Sequence, residues 1–145
     1  MVYESNRIVD DLQNRYKKLG LSQTKLAKLT GYQQTRLSVY FSYVTIPRLN
    51  AVIKIAEALG LKVYIKSTNE AECISESIGS VDDFYKVLTA YRKSHNVTYK
   101  QLGERTGHAT CYCAEVCRVK RAMRLDICID VLKALDLCLD LEEVV

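Results

Sequence analysis

The chain of 145 residues repeats itself at a distance of 76 residues, and this repeat limits the folds open to it more than any other feature. Shifted by that distance without a gap, the sequence meets identical residues at eleven positions. The pairs are Leu12/Leu88, Lys17/Lys93, Leu26/Leu102, Thr30/Thr106, Gly31/Gly107, Arg48/Arg124, Leu49/Leu125, Ile53/Ile129, Ala58/Ala134, Leu59/Leu135 and Leu61/Leu137. The spacing exceeds the roughly 20–50-residue period of solenoid repeats. We interpret the chain as two copies of one small domain: a first unit (residues 1–66) and a second unit (residues 80–145), joined by a linker over residues 67–79.

Each unit carries the signals of four short helices. Ser22 and Thr98 suit the N-caps of the second helices, and Gly31 and Gly107 suit the left-handed position that ends them. The other predicted helices span residues 5–18, 33–42 and 48–59 in the first unit, and in the second unit they begin at Ser80 and span residues 109–118 and 124–135.

Both units end in a stretch where apolar and polar residues alternate. Leu61–Ser67 (LKVYIKS) and Leu137–Val145 (LCLDLEEVV) show this period of two, which is typical of strands. A lone strand is not stable, so we predict that the two strands pair with each other and hold the units together. The expected fold class is all-α in the main, with one small sheet.

Charge is distributed unevenly along the chain. Residues 1–66 hold eleven Lys or Arg and four Asp or Glu, a net charge of +7. Residues 67–79 carry −3, and residues 80–145 are neutral overall. A positive excess confined to the first unit indicates an anionic partner for that unit, and nucleic acid is one such partner.

The sequence also indicates where the protein works. No apolar run approaches the ~20 residues that a membrane-spanning helix needs, and no apolar leader follows Met1. We therefore expect a cytoplasmic protein with no membrane partner. Its six cysteines are then expected to be reduced thiols.

The stretch Leu21–Tyr40 (LSQTKLAKLTGYQQTRLSVY) places two short helical patterns on either side of a glycine turn. With its flanks, over residues 15–61, it resembles the DNA-binding domains of the Cro/cI (XRE) family without a gap. The shared features are the Leu-Ser-Gln entry to the second helix, Ala27, Gly31, Leu37, Pro47 and the closing KIAEALGL. The second unit resembles the same family more weakly, with Gly103 in place of Ala27. The resemblance implies two lambda-repressor-like helix-turn-helix units.

The resemblance further implies that the third helix of the first unit enters the major groove of double-stranded DNA. By position, it implies base contacts from Gln34, Thr35 and Val39. A glutamine amide pairs with adenine edges, and a valine methyl can touch the methyl of thymine. Gln23 matches a glutamine that contacts a phosphate. The residues expected near the groove or backbone are Gln33, Arg36 and Ser38, with positive charge from Lys25, Lys28 and Arg48.

The first unit departs from the family after its third helix. Tyr43 stands where most relatives have the glycine that ends this helix, and Val119 does so in the second unit. The loop that follows normally helps to hold the DNA backbone, so its geometry is in question here.

The second unit departs further, at the positions that matter for DNA. The replacements are Tyr99 for Gln23, Thr110 for Gln34, Cys111 for Thr35 and Glu115 for Val39. A glutamate in the groove accepts from cytosine but repels phosphates. The neighbouring basic cluster consists of Arg118, Lys120, Arg121 and Arg124. Such a cluster suits phosphates, so two interpretations stay open: a second DNA-binding unit, or a module that dimerises or binds a partner protein.

Cys111–Cys117 (CYCAEVC) raises the question of a metal site. Zinc sites typically use paired Cys-x₂-Cys spacing, and a fourth ligand is not evident. The repeat aligns Cys113 and Cys128 with apolar Leu37 and Val52, so we interpret both as buried thiols. We expect no metal and no cofactor. Nor does the sequence show a catalytic set of side chains, so we expect no enzyme.

We predict a sequence-specific transcriptional regulator, and specifically a repressor that blocks polymerase. The alternative is an antitoxin-like or other protein-interaction module whose second unit or C-terminal strand holds a partner protein. A third hypothesis is a thiol- or metal-sensing regulator, with Cys111 as the candidate switch. Relatives usually bind as symmetric dimers, so a chain with two such units is either its own pseudo-dimer, which reads an asymmetric site, or a homodimer, which covers four half-sites. The sequence does not choose between these two.

Overall fold

The structure is a computed structural model and describes residues 4–69, 72–107 and 123–144. Seven helices and two strands lie within those ranges. They are α1 (Glu4–Lys18), α2 (Gln23–Thr30), α3 (Gln34–Phe41), α4 (Leu49–Ala58), β1 (Leu61–Ser67), α5 (Val81–Ser94), α6 (Tyr99–Thr106), α7 (Leu125–Ala134) and β2 (Leu137–Glu143). The mainly helical fold with two strands is confirmed. The helix predicted over residues 109–118 lies outside the described residues.

Local sequence signals set the ends of α2 and α6. The hydroxyl of Ser22 accepts a hydrogen bond from a first-turn backbone N–H at 3.1 Å. Thr98 and Gln101 form a reciprocal capping box. Gly31 and Gly107 end the two helices at φ 77° and 78°, which glycine adopts without a steric penalty. The predicted caps of these helices are therefore confirmed.

The elements on the two sides of the linker correspond at a distance of 76 residues. The bounds of α2 and α6, of α4 and α7, and of β1 and β2 differ by that number, while α5 starts one residue later than the shifted α1. Left-handed backbone recurs at the same distance, at Gly20 and Asn96 and at Gly60 and Asp136. The repeated sequence thus coincides with repeated backbone conformation.

β1 and β2 pair antiparallel over seven residues, which confirms the predicted pairing of the two strands. The register places Tyr64 opposite Asp140, the residue 76 positions later. Val63, Ile65 and Leu139 are at most 2% exposed. A slip by one residue would turn these side chains to solvent, so their burial fixes the register.

A second crossing point lies where the chain enters α4 and α7. Arg48 and Arg124 face each other there in an isolated antiparallel bridge. The two flanking backbone hydrogen bonds run from Leu49 N–H to the Met123 carbonyl (2.7 Å) and from Leu125 N–H to the Pro47 carbonyl (2.9 Å). The two donors, Leu49 and Leu125, are 76 residues apart, and so are the two acceptors, Pro47 and Met123. The contact is therefore reciprocal, as at the interface of a two-fold symmetric dimer.

One apolar core includes residues from both sides of the linker. Its fully buried members include Leu26, Leu37, Ile55, Leu88, Leu102 and Leu125. Tyr40 and Phe41, the end of α3, are buried as well. The Phe41 ring lies 5.0 Å from the ring of Tyr16, centroid to centroid, and this contact packs α3 against α1.

The acidic segment after β1 packs along the edge of that strand, although its composition alone predicts a linker. Ile74 and Ile78 donate their backbone N–H groups to the carbonyls of Ile65 and Val63, at 3.0 and 2.7 Å. Ile78 is 3% exposed. The two isoleucines, four residues apart, were the available signal of this packing.

Arginines of α1 hold the other strand. Arg7 donates to the Leu139 carbonyl at 3.0 Å, and Arg15 forms an ion pair with Glu143 at 2.8 Å. β2 is therefore bound by β1 on one side and by α1 on the other, so an element of the first unit closes over the last strand of the second.

Candidate nucleic-acid interface

A buried hydroxyl fixes the turn between α2 and α3. Thr30 is 2% exposed, donates to the Leu26 carbonyl at 2.9 Å and accepts from the Tyr32 N–H at 3.3 Å. Together with the left-handed Gly31, these bonds set the angle between the two helices. The predicted helix-turn-helix arrangement is present in the first unit.

The start of α3 faces solvent while its later residues hold it to the core. The four residues Gln33–Arg36 are exposed, whereas Leu37 is fully buried and Tyr40 is 7% exposed. The first turn of α3 is thus exposed, whereas Leu37 and Tyr40 in the following turn are buried. The first turn presents hydrogen-bonding groups on a fixed support.

Gln34 is held in place by Gln23. Its Nε2 donates to the Gln23 Oε1 at 3.0 Å, and the Gln23 Nε2 donates to the Tyr16 hydroxyl at 3.4 Å. The chain of bonds joins the first residues of α2 and α3 to α1. Sequence analysis placed both glutamines at the candidate site but did not predict the bond between them.

Arg36 is positioned by two tyrosines. Its Nε donates to the Tyr40 hydroxyl at 2.7 Å, and its guanidinium lies 4.1 Å from the centre of the Tyr32 ring. The bond to Tyr40 raises the pKa of Arg36 above its ordinary value, so the side chain stays cationic. The Lys54 ammonium lies 5.1 Å from the same Tyr32 ring and adds a second charge. Sequence analysis missed Tyr32 and Lys54, although Tyr32, Arg36 and Tyr40 have the spacing of one helix face.

The remaining predicted residues of α3 are less accessible. Ser38 and Val39 are half-buried, and Val39 packs against the core. The Val39 carbonyl accepts from the backbone N–H groups of Val44 and Thr45, at 3.0 and 3.2 Å. The backbone of Val39 therefore holds the loop after α3, while its side chain packs against the core.

Tyr43 takes the backbone conformation that the replaced glycine would supply. Its φ is 64°, a left-handed value that costs a non-glycine residue energy. Its hydroxyl donates to the Asp10 carboxylate of α1. The loop after α3 thus keeps a left-handed turn despite the substitution.

Exposed positive charge accompanies the first helix-turn-helix. Lys25 and Lys28 are exposed on α2, and Arg48 and Lys54 are exposed at the start and middle of α4. At the aligned positions the second unit has Gln101, Glu104, Arg124 and Asp130, all of which lie within the described residues. Arg124 pairs with Asp126 at 2.7 Å. The two units therefore offer different electrostatic surfaces.

The start of α6 also differs from the start of α2. Tyr99 stands at the position of Gln23, and its ring lies 4.0 Å from the guanidinium of Arg92. Arg92 in turn stands at the position of Tyr16, so the aromatic and polar partners are exchanged between the units. The remaining candidate residues of the second unit lie outside the described residues: Thr110, Cys111, Glu115, Arg118, Lys120 and Arg121.

The described cysteines differ in exposure. Cys128 is 1% exposed, as predicted from its alignment with a core valine, and burial raises the pKa of its thiol to about 12. Cys73 is exposed. In the part of the chain that the structure describes, no group of three or more His, Cys, Asp or Glu side chains could hold a metal ion.

Within the same described ranges, no helix is long and apolar enough to cross a membrane. A family model described as helix-turn-helix matches residues 12–65, from within α1 to β1. Searches of the curated proteins and of the solved structures gave no match. Residues 12–65 are therefore a helix-turn-helix domain of the Cro/cI (XRE) type, which indicates a DNA-binding transcriptional regulator.

Proposed function

We propose that the protein is a sequence-specific regulator that reads double-stranded DNA with α3 of the first unit. The observation that carries this proposal is the bond that holds Gln34 to Gln23 at the exposed start of α3. A glutamine amide has two N–H donors and a carbonyl acceptor, and this bond uses one donor. The second donor and the acceptor stay available, and an adenine edge requires that pair of groups.

The other side chains of α3 take supporting roles. Thr35, one residue along, is exposed and offers a hydroxyl to a neighbouring base, and Val39 offers a methyl to thymine. Gln33, Arg36 and Ser38 lie where the groove wall or the phosphates pass. Gln23 contacts a phosphate with the N–H that its weak bond to Tyr16 leaves over.

We propose further that the second unit (residues 80–145) is a divergent duplicate of the first (residues 1–66), with residues 67–79 between them. Eleven identical residues, matching element bounds and left-handed backbone at aligned positions support this. Its candidate DNA contacts are Thr110, Cys111, Arg118, Lys120 and Arg121.

Repression is the mode of regulation that we propose. A domain whose helix occupies the major groove of a promoter excludes polymerase from the same DNA, and no contact beyond the DNA is required. A reporter gene behind the bound site is expected to lose expression when the protein is present. A gain of expression would identify an activator instead.

Selection of bound sequences from random duplexes, at about 150 mM salt, tests the proposal. We expect an enriched motif in which at least one position is adenine, and we expect Gln34→Ala to lose the preference at that position. No enrichment with the full-length protein would reject sequence-specific binding.

A second candidate function is an antitoxin-like or other protein-interaction role for the second unit. The observation that favours it is the exposed acidic pair Glu104 and Asp130, which stand where the first unit has Lys28 and Lys54. Acidic side chains repel a phosphate backbone and suit a basic protein surface. Purification of the tagged chain from its own host is expected to bring down a stoichiometric partner if this role is correct, and Glu104→Lys is expected to release it.

A further inference from the structure

We infer that Tyr32, Arg36 and Lys54 of the first unit form a clamp for one phosphate of the DNA backbone, which we call the α3–α4 clamp. The inference rests on the proposed function, since it concerns how the same domain holds the duplex. It adds a residue in the middle of α4 to the DNA contacts, and it assigns the clamp to the wall of the major groove opposite the wall that Gln23 contacts.

Two cations share one tyrosine ring in the α3–α4 clamp. The Arg36 guanidinium lies 4.1 Å from the centre of the Tyr32 ring, and the Lys54 ammonium lies 5.1 Å from it. Both distances are within the roughly 6 Å at which a ring face attracts a cation. Tyr32 is half-buried and packs against the core, and its backbone N–H donates to the buried Thr30 hydroxyl. The ring is therefore a fixed support that holds both charges beside the first turn of α3.

No carboxylate of the described residues neutralises these two charges. Neither Arg36 nor Lys54 takes part in an ion pair within that part of the chain, whereas six other basic residues do: Arg7, Arg15, Lys18, Lys66, Lys86 and Arg124. Like charges held close together repel each other unless an anion joins them. The cluster is therefore suited to an anion from outside the chain.

The donors of the clamp suit a phosphate in particular. Arg36 uses its Nε in the bond to the Tyr40 hydroxyl, and the two terminal nitrogens of its exposed guanidinium remain as a fork. Such a fork binds two oxygens of one phosphate, and the exposed ammonium of Lys54 adds a point charge and a further donor. Because Tyr32 and Tyr40 already hold the guanidinium, binding costs it little conformational entropy.

The clamp and Gln23 lie on opposite sides of the base-contacting residues. Successive side chains of a helix point about 100° apart, so Gln34, Thr35 and Arg36 spread in that order over about 200°. Gln34 is bonded to Gln23 at 3.0 Å, which puts the start of α2 on one side of this spread and the clamp on the other. The backbones of the two DNA strands bound the major groove, which is about 12 Å wide. A helix between them therefore meets one backbone at Gln23 and the other at the clamp.

The clamp belongs to the first unit alone. At the position aligned with Lys54 the second unit has Asp130, which is exposed. The exchange reverses the charge that the helix contributes, and a carboxylate repels the phosphate backbone. We therefore expect one phosphate per chain to depend on this clamp.

Methylphosphonate scanning of the selected DNA site tests the clamp. The site is synthesised as a set of duplexes, and in each duplex one phosphate is replaced by an uncharged methylphosphonate. We expect one replacement to weaken binding of the unsubstituted protein by about two- to tenfold. The same replacement is expected to weaken binding of Lys54→Gln clearly less, because that variant has already lost the partner charge. A second phosphate, to which Gln23→Ala becomes insensitive, is expected on the other strand.

A matched control separates the clamp from positive charge in general. Lys62→Gln removes one exposed charge of the same unit from β1 and is expected to keep the full sensitivity at the clamped phosphate. Lys54→Gln is also expected to reduce the slope of log K against log salt concentration by about one. Lys54→Arg, which keeps the charge, is expected to restore both readouts.

Variants of Tyr32 test its positioning role. Tyr32→Phe keeps a ring beside both cations and is expected to bind as the unsubstituted protein does. Tyr32→Leu keeps an apolar side chain but removes the ring, so it is expected to lose sensitivity at the clamped phosphate. A merely structural role would instead lower the affinity for every duplex of the set by one common factor.

The outcomes separate this inference from the proposed function. Absence of any enriched motif in the selection rejects the proposed function itself. An enriched motif, with Lys54→Gln and Lys62→Gln alike at every phosphate, keeps the proposed function and overturns the clamp. Two sensitive phosphates on the same strand would overturn its position on the opposite wall. Saturable binding of inorganic phosphate at micromolar concentration, without DNA, would indicate a site for a free anion and overturn the assignment to the DNA backbone.

Discussion

A single hydrogen bond, from Gln34 to Gln23, is the contact on which the proposed reading of DNA by the first helix-turn-helix depends. The bond fixes a side chain that would otherwise lose rotamer entropy on binding. Arg36 is fixed in a similar way, between the ring of Tyr32 and the hydroxyl of Tyr40. Side chains that are already restrained lose less conformational entropy when they bind DNA. We therefore expect that replacing Gln34 or Arg36 lowers the binding free energy by more than the loss of one contact would.

Gln34→Ala is expected to lose about 1–3 kcal/mol of binding free energy at one base position, because two hydrogen bonds to a base edge disappear. Gln23→Ala is expected to weaken binding to every sequence, because a phosphate contact is lost, and to weaken the selected site most, because Gln34 loses its support. Competition binding with single-base variants of the selected site measures both. Equal losses across all bases for Gln34→Ala would contradict its assignment.

Cys128 provides a prediction about pH. Burial raises the pKa of its thiol to about 12 in the folded chain, whereas an unfolded cysteine ionises near pH 8.5. A raised folded pKa means that the neutral thiol stabilises the fold fully below about pH 8.5, and that this stabilisation is lost as the pH rises towards 12. Cys128→Val, which installs the side chain of aligned Val52, is expected to reduce the fall in unfolding free energy between pH 8 and 10.

Urea unfolding of both proteins at pH 7, 8, 9 and 10 measures this difference. Alkylation at pH 8 gives an independent readout, in which exposed Cys73 reacts and Cys128 stays unmodified until the chain unfolds. Equal slopes for the two proteins, or early modification of Cys128, would contradict the burial of this thiol.

Among the elements, the two strands have the largest effect on the architecture, because they join the first unit to the second. Their paired register buries Val63, Ile65 and Leu139 together. Across the sheet, hydrogen bonds to the carboxylates of Asp140 and Glu142 raise the pKa of the Lys66 ammonium, so this cross-strand group stays charged. The sheet thus combines an apolar side with an ionic one.

Leu141→Asp is expected to lower the unfolding free energy by about 1–3 kcal/mol, because it places a carboxylate opposite Val63 at the edge of the core. Val144→Asp is the matched control, since Val144 is 52% exposed and should change stability little. Thermal melts of the three proteins are the measurement. Identical melting temperatures for Leu141→Asp and the unsubstituted chain would show that the strand pair does not hold the units together.

Much of the fold could be predicted because its signals are local. Ser22, Thr98, Gly31 and Gly107 set helix ends through their own side chains or backbone, and alternation over Leu61–Ser67 indicates a strand without reference to the rest of the chain. Contacts between distant residues could not be predicted in this way. The packing of Ile78 against β1, the bonds from α1 to β2 and the bond between the two glutamines all depend on three-dimensional positions that no short window contains.

For the molecule as a whole, the decisive property is that its core is continuous across the linker. Leu26 and Leu102 occupy aligned positions, and each is fully buried. Neither unit buries its apolar surface without the other, because the strand that completes each sheet edge belongs to the opposite unit. Folding of the two units is therefore expected to be coupled.

We expect one unfolding transition, seen alike by circular dichroism and tyrosine fluorescence, with a midpoint independent of protein concentration. Leu26→Ala and Leu102→Ala form a matched pair, one in each unit. Each is expected to lower the same transition, by about 2–5 kcal/mol. Two separate transitions, each sensitive to one variant, would indicate units that fold independently.

The reciprocal contact at Arg48 and Arg124 also bears on how such a protein can change over generations. In a symmetric assembly encoded by one short gene, every codon change appears twice in the complex. Here Arg48 and Arg124 each have a codon of their own. Natural selection can therefore alter one side of the contact and leave the other unchanged, and the aligned pairs Lys28/Glu104 and Lys54/Asp130 already differ in this way.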